Sequence, residues 1–385
     1  MKPRYLVLTE LFLPTKGGTA VWFDEVYRRL GDKTTHIVTA DVPGAAEHDC
    51  NHPNTVHRLA LHRVSWIHPE SLLMYCRLFM HSFYLAATRR FAAIHAGRAL
   101  PEGLVAWAVG YLTFHKVVIY AHGEELTTWG RGLKYKAMCF ALRHANKVIA
   151  NSEFTRDELI KMGVNVQLIT LIYPGVDVGR FRSGLPCDDL KLSIGLKPNQ
   201  KLILSVGRLS RRKGFDMVIR SLPVLLSKGL DVRFALIGIG EDMGYLKKLA
   251  QKLAVTDRVD FLGHVRMEDL PRWYNVCDVF AMPNREIDGD TEGFGLVFLE
   301  AAACGKPAIA GRAGGTGAAV LEGETGFRVD GTDERELIDR LEEFLTNPEL
   351  LQRLGNNAHR RAVTEFTWES VAQRTNSLAV NRHRR

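Results

Sequence analysis

The sequence predicts an α/β protein of two doubly wound domains, each a parallel sheet with helices on both faces. Three observations predict it. Strand-like apolar runs alternate with helix-like segments along all 385 residues, the pattern of repeated βαβ units. The alternation falls into two series, and the stretch 176–200 between them is rich in Gly, Asp, Pro and Ser and has no long apolar run. Glycine and polar residues follow strand after strand, which is where open α/β sheets bind ligands.

In the first series strands are expected at 5–9, 35–39, 91–95, 116–121, 147–150 and 167–172. Helices fit at 20–30, 71–90, 102–113, 132–144 and 152–162. In the second, strands are expected at 201–206, 231–237, 258–262, 278–282, 307–310 and 326–329. Helices there fit at 214–228, 242–253, 267–275, 294–304, 333–346 and 348–364. The expected domains are 1–180 and 190–366, with their polar strand ends meeting at a common cleft.

With 46% hydrophobic and 24% charged residues, the composition is that of a globular protein and excludes disordered or collagen-like chains. No uncharged apolar run approaches the roughly 20 residues that span a bilayer, and no signal-peptide pattern precedes the strand at Tyr5–Leu8. The six cysteines show no CxxC spacing. Reduced thiols in a cytoplasmic protein are therefore expected rather than a zinc ribbon or a disulfide framework.

The net charge of +8 is uneven, since residues 1–180 hold 21 Lys and Arg against 15 Asp and Glu. The densest stretch, 56–98, has six arginines and one glutamate, with Trp66, Tyr75, Phe79, Phe83 and Tyr84 among them. Arginines beside apolar anchors suit the anionic inner face of a membrane. They also suit an acidic substrate, nucleic acid, or an ordinary solvated helix face over a core.

The strand ends carry the chemistry. Gly17 and Gly18 put free N–H groups at a helix start, though a tight strand-to-helix turn explains them equally. Arg208 and Lys213 bracket the first junction of the second domain and suit a diphosphate; Arg211 and Arg212 read as solvated neighbours. Gly238-Ile239-Gly240 lacks the third glycine of a dinucleotide fingerprint at the right place. Glu292 lies in a glycine loop, and Glu300 is expected about two turns into a helix that starts at Phe294–Gly295. That helix end suits a phosphate, and the carboxylates suit sugar hydroxyls. Asp288-Gly289-Asp290 has metal-binding spacing but also reads as an acidic loop. His122 closes a strand and is either a substrate contact or structural.

Together these residues resemble the GT-B glycosyltransferases of family 4. The resemblance rests on Gly17-Gly18, His122-Gly123, Asn151-Ser152-Glu153-Phe154-Thr155, Tyr173-Pro174-Gly175-Val176-Asp177, Gly207-Arg208 with Lys213-Gly214, Gly263-His264-Val265, and the run Glu292 to Ala301. Ala121–Leu126 and Met282–Glu286 look most like the phosphatidylinositol mannosyltransferase branch. The family implies retaining, metal-independent hexosyl transfer from a GDP- or UDP-sugar to a glycan, lipid-linked or small-molecule acceptor. No cofactor and no nucleic-acid partner are expected.

By the same resemblance, Gly207, Arg208 and Lys213 would hold the diphosphate and Glu300 the ribose. The Val265 backbone would meet the base, and Glu292 with Gly293, Phe294, Gly295, Leu296 and Val297 would hold the donor sugar. His122 would sit beside that sugar, and Gly17 and Gly18 beside the phosphates. Lys16, Thr19, His95, Arg98 and Glu124 are the acceptor-side candidates. The last helix, 367–385, would return to the first domain. One departure is that Gly314-Gly315-Thr316-Gly317-Ala318 stands where the family reads Gly-Gly-x-Pro-Glu. The rival reading is a nucleotide-sugar epimerase or hydrolase on the same scaffold.

Overall fold

The computed structural model describes residues 4–61, 71–128, 130 and 132–380. The chain divides into two compact units, residues 1–174 with 368–385, and residues 175–367. The first boundary thus precedes the expected 180. Residues after Pro174 go with the second unit because their apolar side chains anchor there: Phe181 is 5% exposed and packs edge-on against Tyr274 at 5.9 Å.

The first sheet holds β1 (Tyr5–Leu8), β2 (His36–Ala40), β3 (Thr55–Leu59), β4 (Ala93–Ala96), β5 (Val117–Ala121), β6 (Lys147–Ala150) and β7 (Ile169–Leu171) in the order β3-β2-β1-β4-β5-β6-β7. Every pairing is parallel. β1, β4 and β5 are buried at every position, as expected of central parallel strands covered on both faces. The helix Trp368–Val380 packs on the helix Gly18–Leu30, with Trp368 2% exposed and the Tyr5 hydroxyl donating to Asn376 Oδ1 at 2.8 Å.

The second sheet holds β8 (Lys201–Val206), β9 (Val232–Ile237), β10 (Val259–Gly263), β11 (Val279–Met282), β12 (Ala308–Gly311) and β13 (Gly326–Val329) in the order β10-β9-β8-β11-β12-β13. It too is parallel throughout. The strand order reverses between β1 and β4 in one sheet and between β8 and β11 in the other. Those reversals are the points where ligands enter such sheets.

The short helices Ala45–Cys50, Glu124–Thr128 and Asp188–Ser193 and the edge strand β3 escaped sequence reading. β3 is only partly buried, and His57 and Arg58 interrupt its apolar run, so it lacks the pattern of an interior strand. Its polar residues are nonetheless partnered. His57 Nε2 and His36 Nδ1 lie 2.8 Å apart, and Arg89 lies 2.9 Å from His36 Nε2. Burial first, then the neighbouring cationic groups, push His36 and His57 both down to about 4.

A histidine depressed in the folded state is stabilising when neutral. The unfolded chain takes up protons first as pH falls below about 6.5, so stability drops between there and the folded value. A urea melt of the first unit at pH 5 should show roughly 2 kcal/mol less stability per depressed imidazole than at pH 7. His57→Gln should flatten that dependence. A midpoint that does not move between the two pH values would contradict the burial of neutral imidazoles.

Candidate active site

In the second unit the loop after β8 leads through Gly207 and Arg208 into a short turn, Arg211–Lys213, that precedes the helix Phe215–Ser227. The loop after β11 returns through a hairpin turn: the Ile287 and Asp290 backbones bond each other at 3.0 and 2.8 Å. Asp288 and Gly289 occupy positive φ, 52° and 81°, as a tight turn of this kind requires. The metal-like Asp288-Gly289-Asp290 is therefore this turn, and Asp290 Oδ2 faces Arg212 Nε at 3.1 Å.

Glu292 is the centre of this half-site. Lys213 Nζ and Arg212 Nη1 both donate to its Oε2, the latter at 3.1 Å, and all three side chains are largely buried. Burial works to raise the Glu292 carboxyl, but Lys213 and Arg212 outweigh it and hold it below the usual carboxylate range. Arg212 is thus part of the constellation and not the solvated neighbour expected from sequence. Arg211 instead lies over the Tyr245 ring at 3.6 Å and pairs with Asp242.

Lys213 and Arg208 differ sharply. Arg208 is 75% exposed, 3.2 Å from Glu241, which is also exposed. A surface pair of this kind is worth little, so the guanidinium can exchange Glu241 for a ligand at small cost. Lys213 is held inside the ion cluster.

The helix Leu296–Ala303 starts two residues later than the expected 294, capped by Gly295 at φ 91°. Glu300 therefore sits just over one turn in. Its Oε2 accepts from the Tyr274 hydroxyl at 2.7 Å. Burial raises this carboxyl, against smaller opposing effects of Tyr274 and Arg180. Gly293 and Phe294 are buried, while Leu296 and Val297 are partly exposed in the first turn. Val265 is partly buried just beyond β10.

Two glycine signals resolve as close approaches. A Cβ at Gly238 would lie 1.8 Å from the Gly207 carbonyl oxygen, so Gly238-Ile239-Gly240 exists to let the β8 and β9 loops touch. A Cβ at Gly314 would lie 2.1 Å from the Glu292 carbonyl oxygen, and Gly315 N–H donates to that oxygen at 2.7 Å. The loop that departs from the family pattern thus still braces Glu292 through its backbone. Ala318 itself is 7% exposed, and its carbonyl accepts from Arg361 at 2.7 Å.

In the first unit, His122 directly follows β5. Its Nε2 lies 2.8 Å from the Gly97 carbonyl oxygen and so carries the proton, which leaves Nδ1 an acceptor in the neutral ring. The Trp22 ring packs edge-on at 5.6 Å. Burial, chiefly, keeps His122 below its ordinary value. Its backbone is fixed by Glu125, which accepts the His122 N–H at 2.9 Å, and by Asn151, which donates to its carbonyl at 2.8 Å; neither was picked out from sequence as a site residue.

Arg98 follows β4 and bonds Glu10 after β1 at 2.7 Å, tying together the two loops at the strand-order reversal. Gly17 caps the first helix at φ 137°, a backbone shape that favours glycine. Lys16, Gly17 and Gly18 are exposed, Thr19 is partly so, and Glu124 is exposed at the start of a short helix. His95 does not join them. It has 0% exposure, lies 2.5 Å from the Tyr27 hydroxyl, and is pushed down to about 3 by burial. It lies on a central strand covered on both faces, among the rings of Tyr5, Tyr27 and Tyr120, so in this structure it belongs to the core.

Residues 16–180 match the family described as Glycosyltransferase Family 4, and residues 188–361 match Glycosyl transferases group 1. The chain belongs to family 4 of the GT-B glycosyltransferases. This family 4 enzyme is 29% identical, over 98% of both chains, to the GDP-mannose-dependent alpha-(1-6)-phosphatidylinositol monomannoside mannosyltransferase of Mycolicibacterium smegmatis. It is 33% identical over 59% of its length to the D-inositol 3-phosphate glycosyltransferase of Rhodococcus erythropolis, 52% of which is covered. Among solved structures, Anabaena HepE in complex with UDP and glucose superposes with a TM-score of 0.83 at 20% identity, covering 98% of this chain and 100% of that one. That likeness is one of fold. Among the described residues, no helix is long and apolar enough to cross a membrane.

Proposed function

We propose that this family 4 glycosyltransferase moves a hexosyl unit from a nucleotide-diphospho-sugar to an acceptor hydroxyl with retention and without a metal ion. GDP-mannose is the first donor to test and a phosphatidylinositol-derived glycolipid the first acceptor, because the relatives aligned along nearly the whole chain carry those names. The observation that carries the reading is the Lys213–Glu292–Arg212 cluster at the β8/β11 reversal, with Arg208 beside it.

As the bond from the anomeric carbon to the diphosphate breaks, charge grows on the leaving oxygens. Arg208, Lys213 and the helix start at Leu296 oppose that charge. Glu292, held by two cations, is a poor nucleophile and a good acceptor for sugar hydroxyls. This favours attack by the acceptor oxygen from the face the diphosphate leaves, the acceptor's proton passing to a diphosphate oxygen. Glu300, whose acidity is weakened by burial, accepts from the ribose hydroxyls. Gly207 and the Val265 backbone complete the nucleotide site, and Gly293 to Val297 line the sugar. On the first unit, His122 offers Nδ1 as an acceptor for a sugar hydroxyl, and Gly17 and Gly18 offer backbone N–H groups to a phosphate. Lys16, Thr19, Arg98 and Glu124 serve the acceptor. Asp290 Oδ2 faces Arg212, and the cationic side chains do the work of a metal in this proposal. The unpaired state of all six cysteines fits a cytoplasmic enzyme.

The test is a donor screen in EDTA with the product's anomeric configuration read by NMR. Transfer from one nucleotide sugar, undiminished by chelation and α-configured from an α-donor, is expected. Activity restored only by Mg²⁺ or Mn²⁺ removes metal independence. Release of free sugar or an epimer regardless of acceptor replaces transfer with hydrolysis or epimerisation.

A further inference from the structure

In the arginine-rich stretch 56–98, Arg63 and Trp66 lie outside the described residues, and Arg98 ends the stretch at the strand-order reversal. The segment that follows it, Ala99–Gly103, is buried at every residue. It contains a carboxyl that the proposed chemistry does not use: Glu102 has 0% exposure. Its Oε2 has no hydrogen-bond partner among the described residues. Taking a carboxyl out of water is costly, and an apolar side chain of similar size avoids the cost. Burial accordingly raises the Glu102 carboxyl, and neither Arg98 nor the hydrogen bond it accepts brings it back. Stability alone does not explain a carboxyl at this place.

Its partners show what the carboxyl holds. β1 and β4 pair as far as Leu8 and Ala96, and the Gly97 N–H still reaches the Leu8 carbonyl at 2.7 Å. Past that last backbone rung, Glu102 Oε1 accepts the Glu10 N–H at 2.8 Å, so a side chain adds a further rung. The same oxygen lies 3.7 Å from Arg98 Nη2, which bonds Glu10 Oε2 at 2.7 Å. The Gly103 N–H closes the turn on the Arg98 carbonyl at 2.9 Å. What this loop presents is the Gly97 carbonyl, 2.8 Å from His122 Nε2. The rings of Trp22 and Phe23 pack on His122 at 5.6 and 6.4 Å. Ring packing does not choose between the two imidazole nitrogens. The Gly97 carbonyl does, by taking the Nε2 proton and leaving Nδ1 as the acceptor.

We infer that Glu102 is a positioning residue: bonded to the Glu10 backbone and facing Arg98 from inside the core, it holds the loop from Gly97 to Gly103 so that the Gly97 carbonyl fixes the Nε2–H tautomer of His122. A reacting constellation needs such support behind it, because side chains that meet substrate are held only as well as the groups they bond. The inference rests on the reading of His122 as an acceptor for a donor-sugar hydroxyl, and it adds the residue that keeps that acceptor in place. Glu102 itself touches no substrate.

The test joins kinetics to nitrogen NMR of the full chain with labelled histidines at neutral pH, the His122→Gln variant identifying the His122 signals. Wild type should show a protonated Nε2 and an unprotonated Nδ1. Glu102→Met keeps an apolar stem in the core and removes the acceptor for the Glu10 N–H. Its turnover should fall about 10–100-fold, the scale of a slightly misplaced group, and its His122 signals should move to a mixture of tautomers. GDP and UDP binding should stay unchanged, since Arg208 and Lys213 lie in the second unit. Glu102→Gln keeps an oxygen for the Glu10 N–H and should restore both the turnover and the tautomer. Glu102→Asp keeps the charge but shortens the reach, so it should lower turnover and shift the tautomer part-way, which carries the test if Glu102→Met does not fold. In a His122→Gln background, Glu102→Met should cost no further turnover, because both changes remove one contact. A protonated Nδ1 in the wild type overturns the proposal. So does an unmoved tautomer in Glu102→Met and Glu102→Asp, or a turnover loss that adds in full to that of His122→Gln. An inactive wild type whose His122 tautomer still depends on Glu102 would instead sink the transferase reading and leave the positioning role standing.

Discussion

Arg208→Ala is expected to lower turnover about 10²–10³-fold, the scale for removing one preorganised group that opposes developing charge, while leaving the melting temperature unmoved. The side chain is 75% exposed and its Glu241 partner is exposed too, so folding loses almost nothing. Lys213→Ala is expected to reach the same turnover loss by another route. Lys213 is only 12% exposed and shares the Glu292 carboxylate with Arg212. Removing it takes away half of that carboxylate's charged partners, so the second unit should also lose about 1–3 kcal/mol. Single-turnover kinetics and thermal melts of both variants separate the two effects. Turnover of Arg208→Ala within about threefold of wild type, far from the expected scale, would remove the diphosphate assignment. An unshifted melt for Lys213→Ala would show that the ion cluster does not stabilise the fold.

Glu292→Ala should divide catalysis from binding. With the carboxylate gone, Lys213 and Arg212 face the diphosphate site without an internal counter-charge. Free nucleoside diphosphate should bind at least as tightly as to wild type. Turnover should fall about 10–100-fold, the loss of a charged hydrogen bond to the sugar that strengthens in the transition state. Because Glu292 is held below the usual carboxylate range, its ion-pair stabilisation is complete at neutral pH and is lost progressively as pH falls from the unfolded carboxylate value to the lower folded one, so acidification to pH 5 should not mimic the variant. Calorimetric titration with GDP and UDP, beside initial rates, checks the split. Weaker diphosphate binding with unchanged turnover would reverse the roles given to Glu292 and Lys213.

Much of the site was legible because it is local. Gly207-Arg208 with Lys213-Gly214, and the run from Glu292 to Glu300, lie within single strand-to-loop-to-helix passages. What hid was partnership. Arg211 and Arg212 are adjacent and chemically identical, yet one stacks on Tyr245 and the other meets Glu292, 80 residues away. Glu125 and Asn151 resemble surface polar residues in a string and prove to fix the His122 backbone from both sides. His95 misled in the opposite direction, because a polar residue near a strand end reads as reachable although its side chain points inward.

The charge reading shows the same division. A count of arginines along 56–98 left a lipid surface, an acidic substrate, nucleic acid and an ordinary solvated face open, and it could not show that Arg58, Arg89 and Arg98 meet partners inside the first unit.

Periodicity, capping glycines and apolar runs are properties of neighbours along the chain, so the sequence by itself determined the two parallel-sheet series, their strand ends and the polar groups gathered there. Strand order, the reversals between β1 and β4 and between β8 and β11, and the choice of which cation meets which carboxylate were decided only in three dimensions. Electrostatics and packing act through space, over distances that sequence separation does not measure.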